Sequence, residues 1–152
     1  MSVAERIAHA SNRFLDGIRS SKADDVTEGE RGDLDGLRGH KYCVVTTFKR
    51  SGEAVPTPLW FGLADGKLYF RTYADAVKIK RIRNNPRVLV APSDPRGAPK
   101  GEMVEARARI VPEEEKERAE RVVQSNYGLM RRIYKASFSG KVEDAYVEVT
   151  PG

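Results

Sequence analysis

Residues 41–72 run KYCVVTTFKRSGEAVPTPLWFGLADGKLYFRT and contain three segments with the pattern of β-strands. In the first, Tyr42 to Phe48, β-branched and aromatic residues alternate with a period of two. A Ser-Gly turn leads to the second, Ala54 to Leu63, and Asp65-Gly66 leads to the third, Lys67 to Thr72. Three strands joined by short turns predict an antiparallel meander.

Three more strands and three helices are predicted beyond this meander. The strands span Arg87–Ala91, Met103–Val111 and Ala145–Val149, and the helices span Asp75–Arg83, Pro112–Gln124 and Tyr127–Ala136. Asp75 is placed to cap the first helix, while Pro112 and three following glutamates suit the start of the second. Six short strands with a few helices predict a mainly β fold, a small antiparallel barrel decorated by helices.

The length of 152 residues predicts one domain, residues 1–152, with a core of ordinary size. Apolar residues recur at helical spacing near the start, so residues 1–20 are expected to hold an amphipathic helix. Residues 21–40 are polar, contain four glycines and are expected to form a loop. Residues 41–150 then form the barrel with its helical insertions.

Composition excludes several classes of protein. The longest apolar stretch, Val88 to Ala91, is far too short for a membrane span, and charges throughout the first residues argue against a secretory signal. A cytoplasmic protein is therefore expected. Cys43 is the only cysteine and is interpreted as a buried structural thiol, while His9 and His40 lack the spacing of metal ligands. Neither glycine-rich nucleotide-binding motif occurs.

Positive charge is concentrated between Arg71 and Lys100. This segment has eight lysines and arginines against two aspartates, a net charge of +6, whereas the whole chain carries +5. A focused cationic field indicates an anionic partner. Nucleic acid is one candidate, but no binding motif or aromatic stacking platform accompanies the cations. A phosphorylated small molecule requires fewer assumptions.

The third strand and the helix after it form a corner with the chemistry of a phosphate site. Thr72 ends the strand, Lys78 lies in the first turns of the helix, and Arg81 follows on the same helical face. The hydroxyl, the cations and the helix amides all favour negative charge. A solvated basic helix face is an equally good interpretation.

The second strand contains Val55-Pro56-Thr57-Pro58-Leu59-Trp60-Phe61. Prolines two residues apart place both missing amides on one side of the strand, which is typical of a sheet edge. An ordinary edge strand explains this pattern. A second interpretation is a backbone that lies against a planar ligand, with Trp60 as an apolar wall.

Several segments together resemble the split β-barrel superfamily that includes pyridoxamine 5′-phosphate oxidase, and within it the actinobacterial flavin and deazaflavin oxidoreductases. They are KYCVVTT at 41–47, VPTPLWF at 55–61, GKLYFRT at 66–72, KIKRIRNNPRV at 78–88 and GEMVEARA at 101–108. Their order and spacing carry the resemblance, which covers about residues 38–112.

The resemblance implies a six-stranded split barrel, usually a homodimer, with a cofactor in a groove between subunits. The cofactor would be the deazaflavin coenzyme F-420 or, alternatively, FMN. The implied ring-facing residues are Thr57, Pro58, Leu59 and Trp60. The implied phosphate-binding residues are Arg71, Thr72 and Lys78, with Arg81 nearby.

One departure from the superfamily bears on the cofactor. Oxidases of this superfamily usually have Ser-Arg-Lys before the helix, where this chain has Ala76-Val77-Lys78. That argues against pyridoxamine-phosphate oxidase activity, and the acidic tail of F-420 suits the excess of lysine and arginine better than FMN does.

The expected function is an oxidoreductase that uses reduced F-420 to transfer hydride to an unsaturated small molecule. A proton could come from solvent or from Tyr73, Tyr127 or Tyr134, although ordinary packing is the better explanation of these tyrosines. The alternatives are an FMN-binding reductase, a non-catalytic flavin or F-420 carrier and, more remotely, a basic nucleic-acid-binding domain. No metal and no membrane partner are expected.

Overall fold

The computed structural model describes residues 26–127 and 143–152. Its elements are β1 (Tyr42–Phe48), β2 (Ala54–Leu59), β3 (Gly62–Ala64), β4 (Lys67–Tyr73), α1 (Val77–Asn84), β5 (Arg87–Ser93), β6 (Val104–Ile110), α2 (Lys116–Tyr127) and β7 (Asp144–Pro151), with 3₁₀ turns at Asp35–Leu37 and Glu113–Glu115. The helix predicted within residues 1–20 lies outside the described residues, as does all but the first residue of the helix predicted over 127–136.

The seven strands form one antiparallel sheet in the order β2-β1-β5-β6-β7-β4-β3. The two edge strands, β2 and β3, follow each other along the chain and are separated only by Trp60 and Phe61. Edges joined by two residues can meet only if the sheet curls. The fold is therefore mainly β, an antiparallel half-barrel with a few helices, and the predicted fold class is confirmed.

The predicted count of six strands is wrong, because the strand expected over Ala54–Leu63 is two strands. β2 pairs with β1, whereas β3 pairs with β4 at the opposite edge. Gly62 begins β3 where α2 packs directly on the backbone. A Cβ at Gly62 would lie 2.1 Å from the carbonyl oxygen of Val122, so only glycine permits this approach.

Alternation along β4 separates the main core from a second apolar cluster. Leu68 and Phe70 face the interior of the half-barrel, where they join the largest buried cluster. Tyr69 faces the other side and packs under α2 with Val123 and Tyr146. The period of two thus assigns each face of β4 to a different layer.

Helix α1 packs against β1 and β6 and contributes Ile79 and Ile82 to the main core. The predicted cap at Asp75 is wrong. The helix begins at Val77, its N-cap residue is Ala76, and no side chain makes a capping hydrogen bond there. The first amides of α1 are therefore not neutralised by a cap side chain.

Helix α2 covers the outer faces of β3, β4 and β7. Pro112 is the N-cap of a 3₁₀ turn formed by three glutamates, and the α-helix proper begins at Lys116 and reaches Tyr127, beyond the predicted end at Gln124. Among the described helices, none combines the length and apolar character that a membrane span requires.

Candidate functional site

The half-barrel has an opening between its two edges. β3 pairs only with Lys67–Tyr69, the first half of β4, and no described strand pairs with that side of Phe70–Tyr73. β2 is likewise paired on one side only, with β1. We call the space between β2 and Phe70–Tyr73 the split. Trp60 lies at the end of the split where the chain passes from β2 to β3.

Thr72 and Lys78 come together beside the split. The Lys78 ammonium donates a hydrogen bond of 3.3 Å to the Thr72 hydroxyl. Thr72 is buried on the interior-facing side of β4, and Lys78 is half-buried in the first turn of α1. A cation, a hydroxyl and an uncapped helix start thus share one corner. This donor set fits a phosphate group, since each of the three favours negative charge.

The structure does not place Arg71 with that pair. Neighbouring residues of a strand point to opposite faces, so the side chains of Arg71 and Thr72 diverge. The Arg71 guanidinium instead forms an ion pair of 2.5 Å with Asp144 of β7 and lies 4.9 Å from the ring centre of Tyr73. Its side chain is 12% exposed, so this ion pair is largely shielded from water.

Arg81 lies one turn along α1 from Lys78 and is half-buried, like Lys78. Lys80 and Arg83, on the same helix, are exposed. The structure thus places Lys78 and Arg81 on one side of α1 and the other two cations towards solvent.

The four predicted ring-facing residues do not share one face. Thr57 is opposite Val45 and Leu59 is opposite Cys43, so both point to the interior of the half-barrel. Pro58 points to the other side and is buried there, within van der Waals distance of the β-carbon position of Gly97 in the β5–β6 loop. Trp60 lies beyond the end of β2 and follows neither alternation.

Trp60 is stacked on Tyr127, the last described residue of α2. The ring centroids are 4.5 Å apart and the planes differ by 15°. The Tyr127 hydroxyl donates to the carbonyl oxygen of Lys41 and accepts a 2.9 Å hydrogen bond from the amide of Phe61. Burial raises the pKa of Tyr127 well above its ordinary value. Its proton is thus committed to a structural bond. No local signal in the sequence marks this pair, because the two residues are far apart in the chain.

The other two predicted proton sources are Tyr73 and Tyr134. Tyr73 is buried beside the Arg71 guanidinium, and Tyr134 lies outside the described residues.

Two residues of β1, Cys43 and Thr47, bury a thiol and a hydroxyl in the interior of the half-barrel. The Cys43 thiol is fully buried and burial raises its pKa, which confirms the interpretation as a buried structural thiol. The Thr47 hydroxyl is also buried and has no hydrogen-bond partner among the described residues. It shares the interior-facing side of β1 with Val45.

Two cavities lie away from the split. One of about 400 Å³ is lined by Leu34, Leu37, Val90 and Val104, with Arg31, Lys100 and several acidic residues around it. The other, of about 210 Å³, lies between Leu34 and the β3–β4 turn. Neither includes any of the eight predicted cofactor-binding residues. Within residues 26–127 and 143–152, no group of three metal-ligating side chains occurs.

A curled antiparallel sheet, open along one split beside a helix start, defines the class of split β-barrel proteins. Solved structures of this fold include a conserved hypothetical protein from Mycobacterium tuberculosis, at 19% identity and a TM-score of 0.56. The match covers 77% of this chain and 76% of the Mycobacterium tuberculosis protein. A FAD-binding protein from Mesorhizobium loti has 17% identity and a TM-score of 0.57, with coverage of 77% and 85%. A heme storage protein from Vibrio cholerae has 12% identity and a TM-score of 0.59, with coverage of 78% and 86%.

No curated protein matches the chain. The profile described as pyridoxamine 5′-phosphate oxidase matches residues 34–149, which is most of the sequence. The chain therefore belongs to the pyridoxamine 5′-phosphate oxidase family.

Proposed function

We propose that this protein is an oxidoreductase that binds reduced coenzyme F-420 along the split and reduces an unsaturated small molecule. The observation that carries the proposal is the contact between Lys78 and Thr72 at the uncapped start of α1. When bound, the deazaflavin supplies the hydride, so the protein needs no nucleophile or metal of its own.

Each predicted residue has a role in this proposal. Lys78 and Thr72 bind the phosphate, and Arg81 adds positive charge one turn away. Thr57, Leu59 and Trp60 lie along the ring system and exclude water from one of its faces. Pro58 shapes the β2 edge through its backbone. Arg71 would reach the phosphate only if its ion pair with Asp144 opened.

The choice of F-420 over FMN rests on charge. Helix α1 carries four lysines and arginines and no acid within Val77–Asn84. The oligoglutamate tail of F-420 adds several negative charges that such a helix attracts, whereas FMN offers only its phosphate. We further propose that the functional unit is a homodimer, with the cofactor between the subunits.

An FMN-binding reductase and a non-catalytic flavin or F-420 carrier are the alternative functions. Solved structures of this fold are described as a FAD-binding and as a heme storage protein, so the fold is compatible with several cofactors and with storage. The committed hydroxyl of Tyr127 favours storage in one respect, because it removes one proton source. Turnover of an acceptor by the loaded protein separates catalysis from storage.

Titration of the purified protein with F-420 and with FMN, followed by fluorescence, tests the proposal. We expect F-420 to bind more tightly and Lys78→Glu to weaken its binding at least about a hundredfold, as expected for the loss of a charge-assisted contact and the gain of a repulsive one. Lys80→Glu is the matched comparison: Lys80 is exposed on the same helix, so its reversal removes only a screened attraction for the tail and should weaken F-420 binding by less than about tenfold. Undiminished binding by Lys78→Glu would refute the phosphate site.

A further inference from the structure

The ring of Trp60 is in contact with α2. It lies in the two-residue passage between β2 and β3, where no strand pairing fixes the direction of its side chain. Its ring is stacked on that of Tyr127 at 4.5 Å. The end of α2 therefore contributes directly to the orientation of the indole plane.

The end of α2 is in turn bonded to the backbone of Phe61, which follows Trp60, and to the backbone of His40 and Lys41, which precede β1. Asn126 donates hydrogen bonds from its side-chain amide to the carbonyl oxygens of Phe61, at 3.0 Å, and of His40, at 3.1 Å. Tyr127 adds its two hydroxyl bonds, to the Lys41 carbonyl and from the Phe61 amide. Both backbone polar groups of Phe61 are thus satisfied by two consecutive residues of α2.

These contacts lock three segments to one another: the residues before β1, the passage from β2 to β3, and the end of α2. A strand break normally leaves unpaired backbone groups that water must satisfy. Here side chains satisfy them, and burial raises the pKa of the Tyr127 hydroxyl that takes part. The junction is therefore built to be rigid.

We infer that Tyr127 and Asn126 are positioning residues for the ring of the bound cofactor, acting through Trp60. Tyr127 fixes the plane of the Trp60 indole, and Asn126 fixes the backbone that carries it. This inference rests on the proposed function, since it takes Trp60 as the wall against which the ring lies. It assigns to α2 a role in binding that the sequence of this helix alone does not suggest.

The single tryptophan makes this inference testable without turnover, because the tryptophan emission of the protein comes from Trp60 alone. Removal of the stacked ring in Tyr127→Leu is expected to shift the emission of the cofactor-free protein. It is also expected to weaken F-420 binding about threefold to tenfold, the range expected for the loss of one aromatic pair. Tyr127→Phe keeps the stack and should restore most of the affinity. Ser125→Ala is the control, an exposed residue in the same turn of α2.

A double-mutant cycle distinguishes positioning from general structural support. If Tyr127 acts through Trp60, then Tyr127→Leu should weaken F-420 binding no further in a Trp60→Leu background, as measured by the fluorescence of the deazaflavin itself. The inference would be overturned if the losses of F-420 affinity in the two single variants were additive, or if Tyr127→Leu left emission and affinity unchanged. Neither result would contradict the proposal that the unaltered protein binds F-420. Failure of the unaltered protein to bind F-420 or FMN would instead overturn the proposed function and the inference with it. If Tyr127→Leu does not fold, Asn126→Ala is expected to change emission and affinity in the same direction, and unchanged values would count against the inference.

Discussion

Gly62 is the residue on which the junction of β2, β3 and α2 depends. Because a Cβ at this position would lie 2.1 Å from the Val122 carbonyl oxygen and 2.9 Å from the Val123 Cα, Gly62→Ala must displace α2. We expect it to reduce the free energy of unfolding by about 2 kcal/mol or more, as overpacking does against a rigid backbone. Gly36→Ala meets no atom within 4 Å and should change stability by less than about 0.5 kcal/mol. Urea denaturation of both variants tests this, and equal midpoints would show that the approach of α2 is not constrained here.

The ion pair between Glu105 and Arg87 is expected to make the stability of the protein depend on pH. The Arg87 guanidinium donates to both oxygens of Glu105, and with the Gly29 amide and the nearby charge of Arg31 it holds the pKa of the Glu105 carboxyl below its ordinary value of 4.5. A depressed pKa in the folded state means that the stabilisation is complete above about pH 4.5 and is lost as pH falls through the lower value. Glu105→Gln should therefore destabilise the protein at pH 7 and progressively less towards pH 3. A destabilisation of Glu105→Gln that does not change with pH, measured by urea denaturation, would contradict this.

The site shows which residue-scale features a sequence can predict. Thr72 and Lys78 are close in the chain, so a strand followed at once by a helix was enough to predict their contact. The period of two also implies that Arg71 and Thr72 diverge. The partner of Arg71 is Asp144, however, and the partner of Trp60 is Tyr127. Those contacts depend on which distant elements become neighbours, and local patterns do not encode that.

Helix α1 lacks a capping side chain, and a residue that supplies one should change both stability and cofactor binding. Its N-cap, Ala76, makes no side-chain bond, so Ala76→Asp or Ala76→Ser should stabilise the protein by about 0.5–2 kcal/mol in thermal or urea denaturation. The same substitutions occupy the amides that the proposed phosphate needs. Ala76→Asp, which adds negative charge, should weaken F-420 binding by about tenfold or more, and Ala76→Ser by less. Two stabilised variants that bind F-420 as the unaltered protein does would place the phosphate elsewhere.

At this scale, periodicity predicted β1 over the observed residues and the other strands to within about two residues at each end, apart from the segment Ala54–Leu63. The composition of that segment is continuously strand-like, and nothing local marks a break after Leu59. The break arises because one run of chain must leave β1 and reach β4 at the far edge of a curled sheet. It is thus a consequence of closure, which belongs to the whole sheet.

Most cations of the segment from Arg71 to Lys100 that have no acidic partner named above lie on α1. Of the eight cations between Arg71 and Lys100, Arg71 is paired with Asp144 and Arg87 with Glu105. Four of the remaining six lie on α1, which carries no acid and begins beside the split. The sequence located the positive charge to about a fifth of the chain, and the structure places the largest group of these cations on one helix.

The proposed dimer leads to the last prediction, which concerns the assembled molecule. If the cofactor lies between two subunits, each bound F-420 stabilises the dimer, and dilution to monomers must weaken binding by mass action. We expect the apparent dissociation constant of F-420 to rise as protein concentration falls below the dimer dissociation constant, and the sedimentation coefficient of dilute protein to increase when F-420 is added.

The measurements are fluorescence titrations at several protein concentrations and sedimentation velocity with and without F-420. Lys78→Glu is the control, because a variant that does not bind F-420 should show no change in sedimentation. An affinity that is the same for monomer and dimer would mean that one chain forms the whole site, and the split with Lys78, Thr72 and Trp60 would then have to hold the cofactor alone.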